Sequence, residues 1–250
     1  MHKSFPSFTL FCHSTVANIH DESTIDYNRW PDKDLRPHDP PITDFLLPVH
    51  TLDALLLELE IPDSLNRNCN ISIVSSPHRC CIETAVLIAH ALRIPAIQIH
   101  YGVADSCKST RKSGYDPYKL GADYSSPMYL HEGQMQEVIY SVTEQLEVLV
   151  DIDIERVSGE PVRLDEDESV APGRMVRALE EIKEGLKDPD DHIIVVTHRA
   201  VMSAASTQYG GGKDTTSIYD AAPCSFLCIA AAQDDTSWVF AKSRVHIAPR

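Results

Sequence analysis

Glycine is scarce in this 250-residue chain, at 10 residues, and aromatic side chains make up only 7% of it. The first shortage excludes collagen-like and glycine-rich low-complexity architectures. Basic charge is also in short supply: 22 Lys and Arg stand against 37 Asp and Glu, for a formal net charge of -15. That balance argues against nucleic acid as a partner, because such binding needs clustered cations to displace phosphate counterions. No apolar run reaches the roughly 18–20 residues that cross a bilayer. The opening MHKSFPSFTLF is too short in its apolar part for a secretory signal. The chain therefore reads as soluble, cytoplasmic and free of membrane contact. Internal repeats are missing too.

Cysteine spacing supplies a further absence. The seven cysteines, at 12, 69, 80, 81, 107, 224 and 228, are odd in number, and no two have the spacing of a zinc knuckle or a redox pair. They read as reduced thiols, with the Cys80-Cys81 doublet, Cys224 and Cys228 serving as small apolar core residues. The twelve histidines never pair at the one-turn spacing of a helical zinc site. Neither a metal nor an organic cofactor is expected.

What is present is ordinary globular material, 43% hydrophobic and 24% charged, enough for one substantial core. A single domain over 1–250 is expected, with a loop-rich insertion at about 105–133. Ser7 to Phe11 reads as a first strand, and a polar segment from about Asp21 to Pro41 follows it. Leucines three and four apart predict a helix over 44–59, despite Pro48. Asn70 to Val74 predicts a strand, Arg79 to Leu92 a helix, and Ala96 to His100 a strand. Further helices are expected at about 135–150 and 172–186. Ile193 to Thr197 is the most apolar strand, followed by a helix to about Ser206. Cys224 to Ala232 and Trp238 to Arg244 predict a closing hairpin. The alternation of strands and helices points to a three-layer α/β domain.

Two histidines stand where such domains keep their sites. His13 and His198 each follow an apolar strand at its C-terminal end, where open α/β sheets face their ligands. The segment SSPHRCCIETA at 75–85 also leaves a strand and opens a helix, whose first N–H groups favour an anion. Three such ends together make a phosphate-sized pocket.

These segments resemble the histidine phosphatase superfamily, the phosphoglycerate mutase-like proteins. FCHST at 11–15 is similar to the family's Arg-His-Gly signature, and DPPIT at 39–43 to its Asp-x-Pro-Leu-Thr segment. SSPHRCCIETA is similar to its Ser-Ser-Pro turn and helix, and VVTHRAV at 195–201 to its second-histidine motif. The tail PCSFLCIAA and SWVF resembles the hairpin of the eukaryotic branch 1 type, near the ecdysteroid-phosphatase-like members. The resemblance implies an α/β/α sandwich with a mostly parallel central sheet. It also implies a phosphohistidine on His13, with His198 and arginines holding the phosphoryl oxygens and an acid protonating the leaving group.

Much of that equipment is replaced. Cys12 stands for the first Arg, Ser14 for the Gly, Val16 for the second Arg and Cys80 for the helix Arg. The catalytic set left to an active enzyme is His13, His198 and Asp105, with Glu132 as a substitute acid. Arg79, Arg199 and Ser14 are the remaining phosphate-binding candidates. Arg79 falls one place early, which turns a helical side chain by about 100°. Cys12 and Cys80 are not read as phosphatase nucleophiles, because neither lies in the glycine- and arginine-bearing loop such a thiolate needs.

Losing one preorganised donor costs about 10² to 10³ in rate, so the sequence reads as a pseudophosphatase acting as a binding or scaffold protein, with a protein partner or a ligand to hold. The alternative is a phosphomonoesterase acting on a phosphorylated small molecule or phosphoprotein. A third reading is a structural subunit, with Tyr115, Tyr118, Tyr124 and Tyr129 as a contact surface.

Overall fold

The computed structural model describes residues 7–17, 23, 28, 30, 39–58, 70–106, 130–146, 152–162, 166–188, 191–210, 222–231 and 238–244, the backbone alone at 47, 54–58 and 239–244. Among them, seven strands form one sheet: β1 (Ser7–Cys12), β2 (Asn70–Ser75), β3 (Ala96–His100), β4 (Asp153–Ser158), β5 (Asp191–Thr197), β6 (Phe226–Ala231) and β7 (Trp238–Arg244). Their spatial order is β4-β3-β2-β5-β1-β6-β7. The run from β4 to β1 is parallel, and β6 and β7 add antiparallel pairs.

Period-two burial in the strands explains the layers. In β5, Ile194 and Val196 face one apolar cluster while Ile193 and Val195 face another. Helices α1 (Leu46–Glu58), α2 (Arg79–Leu92) and α3 (Glu132–Gln145) cover the first face. Helices α4 (Ala171–Lys183) and α5 (Arg199–Tyr209) cover the second. The expected α/β/α sandwich is thus the observed one. Eleven residues of α2, from Arg79 to Ala89, are buried, because α1 and α3 pack on it as well as the sheet.

Several expectations are corrected. The first helix begins at Leu46, not at Asp44, whose Oδ1 instead accepts the Leu46 N–H at 3.0 Å. Leu46 itself is exposed although its apolar spacing predicted burial. Strand β4 is absent from the sequence reading because it is an edge strand with Asp153, Glu155 and Arg156 breaking its apolar pattern. The helix expected at about 135–150 is displaced to 132–145, begun by a capping box between His131 and Gln134. Most of the expected insertion, with its four tyrosines, lies at 107–129, outside the described residues. No helix among the described residues is long and apolar enough to cross a membrane.

Candidate functional site

The order of the sheet decides where the site forms. Strands β1 and β5 are central and parallel, with Cys12 paired to Thr197 at the last register position. The chain therefore releases His13 and His198 side by side, and the His13 N–H donates to the Thr197 carbonyl at 3.1 Å. Strand β2 lies on the other side of β5, and the Ser76 N–H donates to the Val196 carbonyl at 2.9 Å. Three strand ends thus converge as the sequence reading expects.

His78 and His198 occupy the N-cap positions of α2 and α5, but neither side chain caps its helix. Their rings turn inward instead. The His198 ring meets His13 edge-on at 5.2 Å between centroids and His78 at 4.6 Å. Ser76 Oγ lies 3.0 Å from His198 Nε2 and 3.2 Å from His78 Nδ1, and Cys81 Sγ lies 3.4 Å from His198 Nε2.

On its other side, His198 Nδ1 lies 4.0 Å from Asp105 Oδ2. Burial holds the His198 imidazole well below its usual pKa, and the charges of His13 and Arg174 act in the same direction. His13 Nδ1 donates to the Ser14 carbonyl at 2.8 Å. That bond fixes the ring and leaves its Nε2 directed to the remaining partners.

Cys80 is the group that changes the character of the site. One nitrogen of His13, one of His198 and the Cys80 sulfur all lie within 4.8 Å of one another. Cys80 is the second residue of α2, in the first turn, where exposed N–H groups stabilise a thiolate. A hydrogen bond from Cys81 outweighs burial and, with His13 adding to it, lowers the Cys80 thiol to about 5. For His13, burial opposes charge, yet the sulfurs of Cys80 and Cys12 and the Ser14 carbonyl together raise it to about 10. Both shifts favour the charged forms, thiolate on Cys80 and imidazolium on His13.

The arginine candidates differ in setting. Arg79 is buried at the start of α2, and its backbone N–H donates to Asp39 Oδ1 at 2.7 Å. The Arg199 charge acts on Cys12, lowering a thiol that burial raises. Cys12 packs into the cluster beneath α4 and α5, whereas Cys80 belongs to the opposite one. Ser14 Oγ donates to the Asp44 carbonyl at 2.8 Å, and its N–H donates to Thr84 Oγ1 at 3.0 Å. Glu132 is exposed in the first turn of α3.

Sequence reasoning missed four participants: Ser76, His78, Cys81 and Arg174. The first three sit inside the SSPHRCC segment and were legible as neighbours of a strand end. Arg174 gave no local signal. From α4 it makes two bonds to Glu166, at 2.6 and 2.9 Å, and donates to the carbonyls of Gly102 and Ala104 at 2.7 and 3.2 Å. It thereby holds the 3-10 turn Tyr101–Val103, which leads into Asp105. Thr197 Oγ1 anchors the same turn by donating to the Val103 carbonyl at 2.8 Å.

No family model matches the sequence, and no curated protein matches it. Solved structures match in fold. The ecdysone phosphate phosphatase of Bombix mori, in complex with tungstate, superposes with a TM-score of 0.54 at 11% identity, covering 98% of this chain and 96% of its own. A mycobacterial glucosyl-3-phosphoglycerate phosphatase gives 0.48 at 12% identity, with 97% and 99% covered. A phosphoserine phosphatase mutant of Entamoeba histolytica gives 0.48 at 11% identity, with 95% and 96% covered. The chain has the mixed α/β fold of phosphoglycerate mutase-like histidine phosphatases. These neighbours are phosphatases, and identity this low carries the fold alone.

Proposed function

We propose that this chain keeps the scaffold of a histidine phosphatase, has lost phosphoryl transfer, and acts as a protein-binding pseudophosphatase. One observation carries the reading: the Cys80 sulfur stands with the imidazoles of His13 and His198, where the resemblance calls for an arginine. Phosphoryl transfer builds negative charge on the equatorial oxygens, and cationic donors stabilise it. A thiolate at that place repels it. The sulfurs beside His13 raise its pKa against burial, which disfavours the neutral imidazole whose lone pair attacks phosphorus. Arg174 is committed to Glu166 and two carbonyls.

A second reading, a phosphomonoesterase, draws on two observations. Asp105 stands beside His198 as a proton donor, and the Arg199 charge acts on Cys12 at the strand end. In that enzyme His13 attacks phosphorus and His198 with Arg199 holds the oxygens.

The test is hydrolysis of an aryl phosphate from pH 4 to 8 by chelator-treated wild type beside His13→Ala. Equal, background-level rates support the binding protein. Turnover in the wild type that disappears in His13→Ala overturns it in favour of the esterase, and Arg199→Ala should then lower the rate by about 10² to 10³.

A further inference from the structure

The three side chains His13, Cys80 and His198 also have the composition of a metal site. We propose that His13, Cys80 and His198 bind one zinc ion, through the two Nε2 atoms and the Cys80 sulfur.

Donor chemistry comes first. Two imidazoles and one thiolate form a borderline-soft set that suits zinc, and three protein ligands leave a fourth position for water. No short sequence motif announces the set, because the residues come from the ends of β1 and β5 and from the first turn of α2.

Geometry comes second. The three ligand atoms lie within 4.8 Å of one another. Around a tetrahedral zinc, bonds of about 2.0–2.3 Å place ligand atoms roughly 3.3–3.6 Å apart. Side-chain adjustment of up to about 1.5 Å closes that difference. Ser76 Oγ and the Cys81 thiol, now 3.0 and 3.4 Å from His198 Nε2, turn aside when the metal takes that lone pair.

The surroundings supply a third argument. Histidines that bind metal usually donate the other ring N–H to a carboxylate or a backbone carbonyl, which sets the tautomer and aims the ligating nitrogen. His13 has this support, and His198 has a carboxylate placed to supply it after a small shift. His13 Nδ1 donates to the Ser14 carbonyl at 2.8 Å, and Asp105 Oδ2 faces His198 Nδ1 at 4.0 Å. Charge is also accounted for. The thiolate and the Asp105 carboxylate offset a dication, while the Arg174 charge is balanced by Glu166. Protons displaced from the ligands leave to solvent on binding.

The test is titration of chelator-treated full-length protein with Co²⁺ and then Zn²⁺. Wild type is expected to give the thiolate-to-cobalt charge-transfer band and the strong visible bands of a tetrahedral site. Both should saturate at one equivalent and be abolished by Zn²⁺. Cys80→Ser should remove the charge-transfer band, and His198→Ala should weaken Zn²⁺ binding at least 100-fold. Asp105→Asn, which keeps all three ligands, should weaken it about 10- to 100-fold. Cys228→Ser, a buried thiol on β6 beside Thr9, should leave the titration unchanged.

No charge-transfer band in the wild type overturns the proposal, and that result does not depend on any variant folding. A band that survives in Cys80→Ser, or is lost in Cys228→Ser, also overturns it. The phosphatase assay uses metal-free protein, so its failure and the failure of this proposal are read separately.

Discussion

The Arg79 N–H is bonded at 2.7 Å to the carboxylate of Asp39, so α2 begins tied to the DPPIT segment. Asp39 is fully buried, and it accepts a first-turn N–H where a capping side chain would. Asp39→Ala should therefore lower stability by about 1.5–3 kcal/mol. A shift in the urea midpoint at unchanged slope checks this.

The thiolate at Cys80 has a spectroscopic signature. Its ultraviolet thiolate absorbance should be present at pH 7 and disappear as pH falls through about 5. Cys80→Ser should remove it. His13→Gln, which withdraws the imidazolium partner, should move the transition to higher pH.

His192 makes folding sensitive to acid. It is buried in β5 between Ser7 Oγ at 2.8 Å and Thr9 Oγ1 at 3.1 Å, and burial lowers its pKa to about 4. Between the ordinary 6.5 and about 4, the unfolded chain binds a proton that the folded chain refuses. Stability is thus fully present above pH 6.5 and is lost as pH falls towards 4, by ~3 kcal/mol at the limit. His192→Gln should flatten that part of the stability profile measured in urea.

Gly102 is a packing constraint. A Cβ there would lie 2.4 Å from the Ala178 Cβ and 2.9 Å from His100 Cε1, so α4 and the 3-10 turn meet too closely for any side chain. Gly102→Ala should cost about 1–3 kcal/mol in urea unfolding.

Arg174 and Glu166 are both largely buried. Arg174→Ala leaves a buried carboxylate without its partner and two carbonyls without a donor, and should cost about 3–5 kcal/mol. Glu166→Gln, which keeps hydrogen-bond capacity, should cost less in the same measurement.

The alternation of strand and helix was legible because β1 and β5 are nearly continuous buried runs, β2 and β3 are short apolar segments, and the helices have apolar faces. β4 was not, since its residues alternate between edge exposure and charge. At the site, His13 and His198 were legible from their position after apolar strands. The role of Cys80 was not, because its partners lie 67 positions before it and 118 after it, and only the sheet order brings them together. The influence of Arg199 on Cys12 was not legible either, because it depends on which face of β1 that cysteine occupies. Arg174 acts on carbonyls 72 and 70 positions away in the chain, beyond the reach of local pattern.

Strand β5 has a bonded neighbour on each side, β1 and β2, while β4 and β7 lie at the sheet's margins. Amides on the margins exchange with solvent through small openings, whereas those of β5 must wait for openings that take several strands at once. His13 and His198 hang from the two strands that part last. Fluctuations that fray the periphery leave their spacing intact, and the site persists until the domain itself comes apart.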